Sequence, residues 1–201
     1  MAETDLKDTQ HKKRMAALKE KVDARIAAAS EDKGLLVVLT GNGKGKSSSG
    51  FGMLTRACGH DMRCAAIQFI KGSWDNGERN VLEKLGVEFH VMSTGFTWDT
   101  QDKTGDTEAA KAVWAEAKKL LMDPAIDVVL LDEITYMLTY QYLDLDEVIS
   151  YIVNRPTNQH VIVSGRACHR RLVEMADTVS EIQSVKHAFD AGIKAQRGID
   201  W

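Results

Sequence analysis

The chain is poor in the residues that staple or stiffen a small fold. Its three cysteines, Cys58, Cys64 and Cys168, are odd in number, scattered, and lack metal-ligand spacing. They read as reduced core thiols of a cytosolic protein rather than a disulfide framework. It has two prolines, and both Pro124 and Pro156 stand just past helical patterns, as stops. Positive charge is not in excess: 26 Lys and Arg stand against 29 Asp and Glu, a net charge of −3. Phosphate-backbone binding needs a clustered basic surface, so no nucleic-acid partner is expected. No window has the apolar length of a membrane span, and the first residues, charged from Glu3 to Lys21, lack the apolar stretch of a secretory signal. There is no internal repeat, low-complexity tract or interdomain linker. What remains is 201 residues at 44% hydrophobic and 27% charged. That is enough for one soluble domain with a three-layer core, expected in the cytoplasm.

The most informative stretch is Thr40-Gly41-Asn42-Gly43-Lys44-Gly45-Lys46-Ser47. The apolar run Leu35–Leu39 before it has strand length. The segment Ser48 to Cys58 after it carries Phe51, Leu54 and Ala57 at helical spacing. A buried strand, a glycine turn and a helix start form a phosphate cradle, because backbone N–H groups converge and the helix end adds partial positive charge. Gly41, Asn42, Gly43, Lys44, Gly45, Lys46, Ser47 and Ser48 are therefore the candidate nucleotide contacts. Lys46 would reach the phosphates, and the Ser47 hydroxyl would ligate Mg²⁺. The common pattern has glycine where this chain has Thr40. The competing reading is a strand-to-helix turn that binds nothing.

Residues 1–33 are polar, with Met15, Leu18, Val22 and Ile26 drawing a thin helical stripe. Such an arm is either solvated or docked over the site or on a second subunit. Residues 34–201 form the main domain, in which strands alternate with helices. Strands are expected at 63–70, 87–92, 127–133, 160–165 and 178–182, with helices near 78–85, 107–122, 145–154 and 170–176. This alternation predicts an α/β fold with a mostly parallel sheet covered on both faces. Ligands in such sheets lie beyond the carboxyl ends of the strands.

Four apolar residues ending in Asp132-Glu133 resemble a Walker B strand, where a carboxylate holds Mg²⁺ opposite Ser47. On a continuing strand the two would point to opposite faces, so one direct ligand is expected, Glu133. A helix-capping role is the alternative. Ser164-Gly165-Arg166 closes another strand and brings a guanidinium suited to phosphate oxygens, unless Arg166 merely caps a loop. His169 reads as a structural hydrogen-bonder rather than a base. Phe96 and Trp98, in a loop of small and polar residues, either fill core or line a ligand surface. Composition and spacing stop at a Mg–nucleotide enzyme of the P-loop class, with a small ATPase or kinase and a nucleotide-gated binding protein as rivals.

The wording of the loops goes further. TGNGKGKSS, QFIKGSWDNGERN, TGFTWDTQD, VVLLDEITY, VSGRACHR and the C-terminal VKHAFDAGIKAQRGIDW together resemble the ATP:corrinoid adenosyltransferases. The resemblance runs from about Lys19 to Trp201 and includes Thr40; Ser47 stands where that family more often has Thr. It implies a RecA-like P-loop fold that transfers the 5′-deoxyadenosyl group of ATP to the cobalt(I) of a corrinoid, releasing triphosphate. ATP would lie reversed in the loop, with Mg²⁺ on Ser47 and Glu133, and Lys46 and Arg166 on the phosphates. Phe96 and Trp98 would pack beneath the corrin ring and displace its lower axial ligand, easing reduction of cobalt(II). The resemblance also implies an electron-donating reductase, a homodimer, and an N-terminal helix that caps the site.

Overall fold

A computed structural model of the protein describes residues 2–70, 76–92 and 103–200, with side chains from residue 8 onward. The chain divides into two compact units, Met1–Asp32 and Lys33–Trp201. The first is one helix, α1 (Ala2–Ala28), in which Met15, Leu18, Val22 and Ile26 are all exposed.

The second unit is a parallel sheet of six strands with helices on both faces, an α/β three-layer fold. In chain order its elements are β1 (Leu36–Thr40), α2 (Lys46–Cys58), β2 (Cys64–Gln68), α3 (Gly77–Leu82), β3 (Glu88–Val91) and α4 (Lys103–Met122). There follow β4 (Val128–Asp132), α5 (Ile134–Thr139), α6 (Leu145–Val153), β5 (His160–Ser164), α7 (Arg170–Met175) and β6 (Thr178–Glu181). The strand order is β3-β2-β4-β5-β1-β6.

Strand residues alternate between two cores, as the period of two requires. Leu36, Val38, Ala65, Ile67, Val129, Leu131, Val161 and Val163 face one core, with Trp114 and Leu121 of α4 and Ile152 of α6. Leu39, Cys64, Ala66, Val128, Leu130 and Ile162 face the other, with Phe51 and Leu54 of α2. Because both faces are covered, the central strands are apolar except at their ends.

The expected strands and helices are present, with α4 starting four residues earlier than expected. Helix α5 was not anticipated. Its sequence, Ile-Thr-Tyr-Met-Leu-Thr, is β-branched and aromatic, and local preference favours a strand. The left-handed backbone of Glu133 (φ 59°) turns the chain out of β4 and into α5. The thiols are also less uniformly buried than expected. Cys64 is in the core, whereas Cys58 and Cys168 are partly exposed. Burial, chiefly, pushes the Cys64 thiol up to about 12 and the Cys168 thiol up to about 11, so both stay protonated at neutral pH.

Gln159 secures the far end of the sheet. Its amide Nε2 donates to the carbonyls of Leu120, Asp123 and Ile126 at 3.0, 3.2 and 3.0 Å, closing the end of α4. The Arg155 guanidinium binds the carbonyls of Ile152, Gln159 and Gly34 nearby. Gln159→Ala leaves buried carbonyls without their donor and is expected to cost about 3 kcal/mol. Gln159→Glu, which sets an acceptor against acceptors, should cost more. Urea unfolding of the two variants checks this, and equal losses would contradict it.

Candidate nucleotide-binding site

Sheet register builds the site. Leu39 pairs with Ser164 and Gln68 with Asp132, so the carboxyl ends of β1, β5, β4 and β2 lie side by side. The loops leaving those ends enclose a cavity of about 630 Å³, lined by residues 42–48, Gln68, Asn76, Asp132, Glu133, Tyr136, Arg166, His187 and Asp200, among others. That volume suits one nucleotide-sized ligand.

The glycines of the loop after β1 are explained by what they rest on. A Cβ on Gly41 (φ 98°) would stand 2.4 Å from the carbonyl oxygen of Ile182, and one on Gly43 would stand 2.6 Å from that of Gln183. The Gly43 N–H donates to the Ile182 carbonyl at 2.7 Å. Gly41 itself is not among the residues lining the cavity; it permits the close approach from beneath. Thr40, the departure from the common pattern, uses its hydroxyl to accept the Cys168 N–H at 3.3 Å, joining this loop to the one after β5.

Lys46 is 6% exposed, and its ammonium donates to the Gly43 carbonyl at 2.8 Å. Burial lowers its pKa, while the Glu133 carboxylate opposes that shift. Ser47 and Ser48 follow it at the start of α2, on the cavity wall. Lys44 also reaches the cavity, where it pairs with Asp200 at 2.7 Å.

Asp132 and Glu133 have different surroundings. Asp132 accepts from Ser164 Oγ at 2.6 Å and from Gln68 Nε2 at 3.2 Å, and Asn76 donates to Gln68 at 3.4 Å. Its oxygens are engaged within the protein. Glu133, turned by its left-handed backbone, presents its carboxylate to the cavity, and its N–H donates to Ser164 Oγ at 3.1 Å. Among the described residues no group of three or more His, Cys, Asp or Glu is placed to hold a metal. One carboxylate and one hydroxyl, completed by phosphate oxygens and water, is nevertheless the usual donor set for Mg²⁺, and Glu133 with Ser47 fits it.

Burial, then Asp132, push the Glu133 carboxyl above the usual glutamate range, against Lys46 and Arg166. A carboxyl raised on folding costs stability as pH climbs from its ordinary value through the raised one. Glu133→Gln should therefore gain stability relative to the parent between pH ~4 and pH ~7, in chelator. Thermal melts at the two pH values check this; a gap that does not change with pH counts against it.

Arg166 lies on the cavity wall. His169 does not face the cavity; its Nδ1 accepts the Arg171 N–H at 3.3 Å and caps α7, the structural role expected. Phe96 and Trp98 lie outside the described residues. Sequence reasoning missed Gln68, Asn76, Tyr136, His187 and Asp200. A polar residue closing an otherwise apolar strand was a usable signal for Gln68, but nothing local marked the others.

Residues 32–201 match the family model described as ATP:corrinoid adenosyltransferase BtuR/CobO/CobP. The chain belongs to this family. It is 56% identical to the "Corrinoid adenosyltransferase" of Escherichia coli K12 over 196 residues, 98% of this chain and 100% of that one. Identity to the "Corrinoid adenosyltransferase CobA" of Salmonella typhimurium is 55% over the same shares. With the "Corrinoid adenosyltransferase" of Pseudomonas aeruginosa it is 48% over 203 residues, the full length of both chains. Family membership makes the chain a transferase of adenosyl groups to corrinoids rather than a phosphoryl-transfer enzyme. Among the described residues no helix is long and apolar enough to cross a membrane.

Proposed function

We propose that the chain transfers the 5′-deoxyadenosyl group of ATP to the cobalt(I) of a corrinoid, cobalamin or a cobyrinic acid a,c-diamide type precursor, in adenosylcobalamin biosynthesis or salvage. The observation that carries this is the convergence of Lys46, Glu133 and Arg166 on one cavity at the carboxyl edge, in a chain of this family. Cobalt(I) attacks C5′ with its electron pair, a cobalt–carbon bond forms, and the C5′–O5′ bond breaks. The pair from the broken bond leaves on triphosphate. No proton is removed from the nucleophile, so no general base is needed.

The protein's work is to align C5′ and to stabilise the leaving group. Lys46, Lys44, Arg166 and the N–H groups of residues 44–48 hold the triphosphate, with ATP reversed so that the ribose carbon faces the corrinoid. Ser47 and Glu133 hold Mg²⁺, which supplies charge neutralisation to the phosphates. Phe96 and Trp98 form the apolar bed beneath the corrin ring. An electron-donating reductase supplies cobalt(I), and the working unit is a homodimer in the cytoplasm, each chain carrying an arm of residues 1–33 and a catalytic domain of residues 34–201.

Incubation with ATP, Mg²⁺ and reduced cobalamin tests the reaction. Triphosphate and a light-sensitive cobalt–carbon adduct are expected; ADP would mean a kinase or ATPase, and no product a binding protein. Phe96→Ala and Trp98→Ala should slow turnover from cobalt(II) while sparing turnover with prereduced cobalt(I). Equal losses in both assays would return these aromatics to a core role.

A further inference from the structure

The C-terminal segment reaches back into the cavity and places a negative charge on its wall. Asp200 Oδ1 pairs with Lys44 Nζ at 2.7 Å, and its other oxygen accepts the Gln196 N–H at 2.7 Å. The carboxylate is thus held by its own segment, whose start is tied to the phosphate loop through Ile182 and Gly43. Lys44, on its flexible stem and 46% exposed at the side chain, is the partner free to move. His187 and Ile199 of the same segment line the cavity beside Asp200. The Gln196 N–H and then Lys44 hold the Asp200 carboxyl below the usual range, so it is ionised at neutral pH.

A pocket that takes a polyanion gains nothing in grip from a fixed carboxylate on one of its lysines. It gains an internal competitor. We propose that Asp200 competes with the bound polyphosphate for Lys44 and so weakens retention of the triphosphate product. This rests on reading the cavity as a polyphosphate site. Lys44 can swing to the phosphate chain when the cavity is filled, and Asp200 draws it back as the chain leaves. The device lowers product affinity without touching Lys46, Ser47 or Glu133, the groups assigned to the transition state.

The test is calorimetric titration of inorganic tripolyphosphate, with Mg²⁺, into the full-length protein and its variants at positions 200 and 44. Asp200→Asn keeps an acceptor for the Gln196 N–H and removes only the charge; Asp200→Ser serves if the first folds poorly. The charge-free variant should bind tripolyphosphate about fivefold tighter, the scale of one partly exposed pair. The gain should vanish in a Lys44→Ala background and shrink as salt rises. Triphosphate should likewise inhibit the variant at lower concentration than the parent. Unchanged or weaker binding by Asp200→Asn overturns the proposal, the weaker result making Asp200 a support for Lys44. If the parent itself fails to bind tripolyphosphate, the polyphosphate reading falls, and this inference with it.

Discussion

Lys46→Ala is expected to lower kcat/KM about 100-fold, roughly 3 kcal/mol of transition-state stabilisation. The ammonium is already placed: it is buried, held by the Gly43 carbonyl, and feels the charges of Glu133 and Arg166. A donor so fixed needs little rearrangement to meet charge developing on the bridging oxygen. In a low-dielectric cavity that charge is worth more than in water. Lys46→Arg should recover little, because a planar fork does not occupy the volume of a compact ammonium. Steady-state kinetics with prereduced corrinoid read this directly, with far-UV circular dichroism to check folding. A variant that keeps the parent's kcat/KM contradicts the assignment.

Gly165→Ala should unfold the protein more easily by about 3–5 kcal/mol, from backbone strain plus overpacking. Gly165 has φ 140°, and a Cβ there would stand 2.0 Å from Thr135 Oγ1 and 3.2 Å from Glu133 Oε2. The close approach of β5's exit to α5 brings Arg166 and Glu133 to the same cavity, so nucleotide binding should weaken as well. Thr135 offers a control, because its buried hydroxyl has no hydrogen-bond partner among the described residues. Thr135→Ala should cost little alone and recover part of the loss in the double variant, leaving the strain and a 3.1 Å contact with its Cβ. Urea unfolding across this four-member cycle measures the coupling. Strict additivity would mean the clash is not what excludes alanine.

The main lines of fold and site were legible where one local rule decided them. Apolar runs bounded by turn residues marked β1, β2, β4 and β5. The glycine loop between a buried strand and a helix marked one wall of the cavity. Asp132 and Glu133 were legible as a pair with Glu133 the one facing the ligand, but not the means: the strand does not continue, and a left-handed turn at Glu133, with α5 seated against the exit of β5, separates the two. Helix α5 failed for the same reason, its β-branched residues being overruled by packing. Asp200, His187 and Gln68 reach the site through the sheet order, which no short window of sequence contains. Thr40 looked like a departure from a motif, whereas its hydroxyl bonds a backbone N–H after β5.

The glycine loop near the start of the domain rests on the backbone of residues 182 and 183, close to its end. During synthesis the N-terminal part emerges first, so the loop leaves the ribosome long before its floor does. Such non-local closure is slow, and the unfinished chain has no formed cradle to offer a nucleotide. Fragments that stop short of β6 should be blind to ATP however well their earlier helices form, and an excess of nucleotide cannot rescue a nascent chain until the sixth strand is in place.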